Sequence, residues 1–183
     1  MTMKKLAVAI LLSAAIAPAQ RSPGAEPPHS PWKSFEFLIG TWEAKTAGGS
    51  AGATVSGTYS FQTELKDHVL ARHSVNSGCK GPADFDCLHT DLLYIYPDAG
   101  TSYQAIYFDN EGHVIRYGLS FPTAASVVFL SNTSAAEPQF RLSYELKGSI
   151  LYGKFQMRLP GQTEFRSYLE WSGEKRNNTR GFP

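Results

Sequence analysis

Five histidines and two cysteines are the side chains in this sequence best suited to acid–base, metal or redox chemistry. His68 and His73 lie five positions apart on one expected strand, so they face opposite sides and cannot chelate together. His73 shares parity with Val69, Ala71 and Val75, which predicts an inward imidazole. His113 follows the turn Asp109-Asn110-Glu111-Gly112, and a hairpin there brings Asp109 beside it. An Asp–His pair at a rim can act as a general base. The same residue types also stabilise turns, and that plainer role is the expected one. His89 borders the cysteine segment and is expected to be exposed. His29 lies in a proline-rich stretch and is expected to be inert.

Cys79, Cys87 and His89 offer three donors, whereas a structural zinc site wants four in paired spacings such as C-x-x-C. The expectation is therefore a Cys79–Cys87 disulfide and no metal. Gly48-Gly49-Ser50-Ala51-Gly52 has no following Lys-Ser/Thr and opens no helix, so it is no phosphate loop. The same five residues match G-x-S-x-G in letters, but with no helix after them they make no nucleophile elbow, and the carboxylates are scattered. His73, His113 and Asp109 are thus the only catalytic candidates, and no cofactor is expected.

These residues must be positioned by strands. After Leu38 there is almost no helical periodicity; short alternating segments recur between turn residues, as in a barrel or sandwich. Strands are expected near 40–46, 54–65, 67–76, 89–96, 101–108, 113–121, 126–132, 139–146, 149–159 and 164–174. One short helix is expected at 31–38, capped by Ser30. Pairing Phe108 with His113 puts Gln104, Ile106, Ile115 and Tyr117 on the inward face. A Lys147-Gly148 turn pairs Leu146 with Ser149 and puts Phe140, Leu142, Tyr144, Leu151, Gly153 and Phe155 on another. Trp171 is then expected across from Gly153. Consecutive hairpins favour an all-β, closed antiparallel up-and-down barrel of about 8–10 strands over a sandwich, which needs long crossings.

The N-terminus has an export pattern: Lys4 and Lys5, an apolar run over 6–16, and Ala17-Pro18-Ala19 as a cleavage site. The expected division is a signal peptide at 1–19, a tether at 20–33, the barrel at 34–176 and a tail at 177–183. The apolar run is short for a membrane span, so no stable membrane anchor is expected, and the protein should be periplasmic or secreted. Losing Lys4 and Lys5 takes the net charge from +1 to −1. No basic cluster appears, which excludes a nucleic-acid partner.

Gly40-Thr41-Trp42 on the first strand resembles the lipocalin-superfamily signature. More narrowly, three segments, the first of them containing that motif, are similar to the bacterial DUF1579-type lipocalin-like proteins of unknown function: FEFLIGTWEA at 35–44, GTYSFQTELKDHVLARHS at 57–74 and YQAIYFDNEGHVIRY at 103–117. The resemblance implies a lipocalin-like barrel with Trp42 closing one end under Arg176 or Lys175. Nitrobindin-like haem barrels share the first-strand motif, but their iron ligand is a late histidine, and no histidine follows His113 here.

The expected interior holds Tyr59, Phe61, His73, Gln104, Ile106, Tyr117, Tyr144 and Phe155, with Gly40, Trp42, Trp171 and Arg176 in structural roles. Mostly apolar with a few polar points, it reads as a pocket for a small apolar or amphipathic molecule. Two alternatives stay open. One is an isomerase, cyclase or lyase on this scaffold, using His73 or His113 with a tyrosine. The other is a packed barrel acting as an interaction module through loops such as 77–90. The oligomeric state is open.

Overall fold

The computed structural model describes residues 30–98 and 102–176. The expected signal peptide, the tail and most of the tether lie outside these residues. Ten strands follow one another: β1 (Gly40–Gly48), β2 (Thr54–Glu64), β3 (Val69–Lys80), β4 (Asp91–Pro97), β5 (Tyr103–Asp109), β6 (Val114–Thr123), β7 (Ser126–Ser131), β8 (Gln139–Lys147), β9 (Ile150–Arg158) and β10 (Arg166–Lys175). Each pairs antiparallel with its sequence neighbours, and β1 pairs with β10 to close an up-and-down barrel. Closure pairs the two terminal strands with each other, so neither is left as an edge.

One end is plugged. The expected helix is a single 3-10 turn, Lys33–Phe35, without a side-chain cap from its N-cap residue Trp32. Trp32 is itself buried, so the end of the expected tether belongs to the barrel domain. Trp32, Phe35 and Leu38 pack against Trp42, Tyr103 and Phe121. The Trp42 indole donates to Leu38 O at 2.8 Å. Lys175, 5.4 Å from the Trp42 ring, supplies the stacking cation. Arg176, the other basic residue expected there, pairs with Glu43 at 2.8 Å instead.

Turn chemistry sets which side chains enter the barrel. At β5–β6 the loop is three residues long, one shorter than expected. Asp109 and His113 pair across it, Gly112 adopts φ +90°, and its N–H donates to Asp109 O at 3.2 Å. The Asp109 carboxylate accepts the backbone N–H groups of Glu111 and His113 at 3.1 and 2.8 Å. Phe108 therefore faces Val114, and Tyr107 faces Ile115. This one-residue slip turns Gln104, Ile106 and Phe108 outward and brings Tyr103, Ala105 and Tyr107 in. At β8–β9 the loop is Gly148-Ser149, with Lys147 opposite Ile150 and φ +61° at Gly148. That slip is two residues, so the expected inward face survives with new partners: Tyr144 lies across from Gly153 and Leu142 from Phe155. Trp171 lies across from Gly153 as expected.

Candidate functional site

The barrel is packed only in its plugged half. Phe61, Leu70, Ile95, Phe129, Tyr144 and Leu151 fill that part of the interior. Above them, toward the β5–β6 turn, lies a cavity of about 550 Å³. Its walls differ. The inward residues of β6 and β8–β10, among them Ile115, Phe140, Leu142, Phe155 and Trp171, make an apolar wall. The facing strands β3–β5 contribute Ser74, Arg72, Asp91 and Tyr107, a polar wall.

Arg72 reaches across the barrel. Its Nη1 donates to Tyr144 Oη at 2.6 Å, and its Nη2 donates to Ser74 Oγ at 3.1 Å and to the Asp91 carboxylate. Ser74 Oγ also donates to Asp91, at 2.9 Å. The Arg72 side chain is 93% shielded, and its Nε has no hydrogen-bond partner among the described residues. Burial alone would raise the Asp91 pKa, but the Arg72 charge and the surrounding donors outweigh it and hold the carboxyl well below the usual range. Burial, together with Asp91 and Asp109, pushes Tyr107 up; burial likewise raises Tyr59 and Tyr117. These phenols stay protonated, which suits hydrogen bonding to a ligand and not base catalysis. Tyr59 Oη is buried without a well-formed hydrogen bond among the described residues.

The rim is made by two segments. The Cys79–Cys87 disulfide is formed, and its loop carries Asp84, Phe85 and Asp86 to the cavity. Asn110, at the tip of the β5–β6 hairpin, ties that loop down. Its side chain donates to Asp86 at 3.1 Å and accepts from Thr90 N at 2.8 Å. His89 follows the loop. Its Nε2 lies 3.0 Å from Tyr107 Oη and 3.6 Å from Asp91. Asp91 raises the His89 pKa, helped by Asp109 and Glu111 and opposed by burial. His113 Nδ1 is 2.9 Å from Asp109. That contact, with the backbone bonds to Asp109, outweighs burial and lowers the Asp109 pKa.

Of the residues expected in the site, Tyr59, Tyr117 and Phe155 line the cavity, while Phe61 and Tyr144 lie in the packed core. His73 does not join them. It faces out of the barrel and contacts Glu64 at 2.7 Å, because the inward parity of β3 is Leu70, Arg72 and Ser74. Gln104 and Ile106 also lie outside. The Asp109–His113 contact forms at the rim, as the sequence indicated. The sequence reading missed Arg72, Ser74, Asp91, Tyr107 and the half-buried His89. A shorter β5–β6 loop would have indicated Tyr107; for Arg72, hydrophobic parity pointed the wrong way. No protein-family model matches this chain, and neither does any curated protein.

Proposed function

We propose that the protein is an exported barrel of the DUF1579-type lipocalin-like kind that holds one small amphipathic molecule in its unpacked half. The observation that carries the reading is the division of the cavity into an apolar wall and a hydrogen-bonding wall. A volume of about 550 Å³ falls within the range of small-molecule sites. The apolar body would lie against Phe140, Phe155, Leu142 and Trp171, and its polar group against Tyr107, Arg72 and Asp91. Export is supported by the N-terminal pattern and by the Cys79–Cys87 disulfide, a bond favoured in oxidising compartments.

The test has two arms. Purified protein is denatured and extracted, and the extract is searched for a stoichiometric small molecule by mass spectrometry. In parallel, an amphipathic fluorophore, anilinonaphthalene sulfonate, is titrated into the protein in EDTA. Ile115→Asp, which places a negative charge on the apolar wall against an anionic probe, should weaken the probe by about tenfold or more, or roughly 1.4 kcal/mol. An empty extract together with non-saturable probe binding would sink the reading.

One observation favours a second reading, acid–base catalysis: His89 and Tyr107 lie 3.0 Å apart on the cavity wall. The raised phenol makes this a weak proton donor near neutral pH, so binding remains the conclusion.

A further inference from the structure

We propose that the rim of the cavity binds one zinc ion through His89, Asp109, Glu111 and His113, and that this ion ties the disulfide loop to the β5–β6 hairpin across the mouth. The proposal goes beyond the interior site and does not depend on it.

Three donors, His89, Asp109 and Glu111, converge from two segments, and His113 adjoins them beside Asp109 and Glu111. His89 comes from the end of the disulfide loop. Asp109, Glu111 and His113 come from one tight hairpin, at alternate positions. Ligand atoms of His89, Asp109 and Glu111 all lie within 4.8 Å of one another. His89 Nδ1 is 3.7 Å from Glu111 Oε2. His113 Nδ1 is 2.9 Å from Asp109 Oδ2 and 3.8 Å from Glu111 Oε2. Tetrahedral zinc with bonds near 2.0–2.2 Å sets its donors roughly 3.3–3.6 Å apart. The contacts at 2.9, 3.7 and 3.8 Å lie near that spacing, and the exposed His113 imidazole completes the set by swinging toward His89.

Three further observations point to a cation here. First, His89 is oriented from outside the cluster. Its Nε2 faces Tyr107 Oη and Asp91, while its Nδ1 makes no hydrogen bond among the described residues. A metal-binding imidazole characteristically has its second nitrogen held by such an outer partner, which leaves the first with a lone pair for the ion. Second, the Asp109 and Glu111 carboxylates converge, and among the described residues neither pairs with a lysine or arginine; their charged neighbours are the two imidazoles. Third, the two segments are already joined by Asn110, so the ordering an ion would impose is largely in place. Two imidazoles with two carboxylates suit zinc better than calcium or magnesium, which favour all-oxygen sites.

The experiment uses untagged protein, stripped with chelator and dialysed, then titrated with zinc sulfate by calorimetry with no organic ligand present. One zinc per chain is expected, together with a rise in melting temperature on loading. Glu111→Gln, an exposed change with little consequence for folding, should weaken binding by at least the roughly 10–100-fold typical of a lost outer partner. His89→Ala should do the same, whereas His68→Ala and His73→Ala should leave binding unchanged. Absence of one-to-one binding would overturn the proposal. So would one-to-one binding that Glu111→Gln and His89→Ala leave intact, since the ion would then be adventitious. Probe binding in EDTA reads the interior site separately, so failure of one reading is distinguishable from failure of the other.

Discussion

Arg72 is a cation placed where hydrophobic patterning predicts none. A buried charge is tolerable only when paired and hydrogen-bonded, and Arg72 has Asp91, Ser74 and Tyr144 for that purpose. Removing one partner should therefore hurt far more than removing both. Asp91→Asn should destabilise the protein by about 3–5 kcal/mol at pH 7, while Arg72→Met with Asp91→Leu should be close to neutral in stability. The double variant should nonetheless lose ligands that need a polar anchor. Chemical denaturation checks the first pair of outcomes and ligand titration the last. The pH dependence has a definite sign. The folded Asp91 pKa is depressed, so its contribution is present above the ordinary aspartate value of about 3.9 and is lost as the pH falls toward the depressed value. The stability gap between wild type and Asp91→Asn should thus narrow at pH 3 relative to pH 7. A gap independent of pH would show that the pair contributes nothing through its charge.

Among the elements, β9 and β10 give the sharpest steric test. A Cβ built on Gly153 would lie 2.1 Å from the Trp171 ring, so the indole occupies the space a side chain would need. Gly153→Ala should cost about 1–3 kcal/mol by overpacking and shift Trp171 emission while leaving the barrel intact. Circular dichroism and fluorescence would separate these effects. The contact matches the register expected from pairing Leu159 with Phe165, but next to the turn Arg166 faces Met157, one residue off, and an irregularity between Ser167 and Leu169 restores the register by Trp171. All ten strands were readable in advance, since turn residues punctuate apolar alternation. The site was less so. Inward parity was inferred from apolarity, which works for Phe140, Leu142 and Tyr144. It fails on β3, where Arg72 and Ser74 point inward and His73 points out. On β5 the failure is one of counting. A loop shorter by one residue, permitted by Gly112 and held by the Asp109 carboxylate, exchanges Gln104 and Ile106 for Tyr103 and Tyr107. Polar walls and turn lengths are tertiary and local choices that periodicity does not encode.

For the molecule as a whole, the division into a plugged, packed half and an unpacked half has a dynamic consequence. Opening free energies vary within a fold with local packing, and ligand-binding segments occupy the labile end. The plug residues Trp32, Phe35, Leu38 and Trp42 are almost completely buried, as are Phe61, Leu70 and Leu151. The mouth instead has a cavity of about 550 Å³ and is bordered by turns. The disulfide offsets part of that looseness by closing a loop whose cysteines are 8 residues apart, a constraint contributing about 2–3 kcal/mol. Amide exchange followed by mass spectrometry should therefore show a gradient along the barrel axis. Protection should be greatest where β7, β8 and β9 meet the plug and weakest in residues 48–53 and 81–90. Replacing both cysteines with serine should lower stability by about that same 2–3 kcal/mol and accelerate exchange chiefly in 81–90, with the plug unaffected. A ligand in the interior should slow exchange at the mouth first, because those segments have the most order to gain. Uniform exchange along every strand, with or without the disulfide, would contradict the two-halved barrel and remove the physical basis for assigning binding to one end.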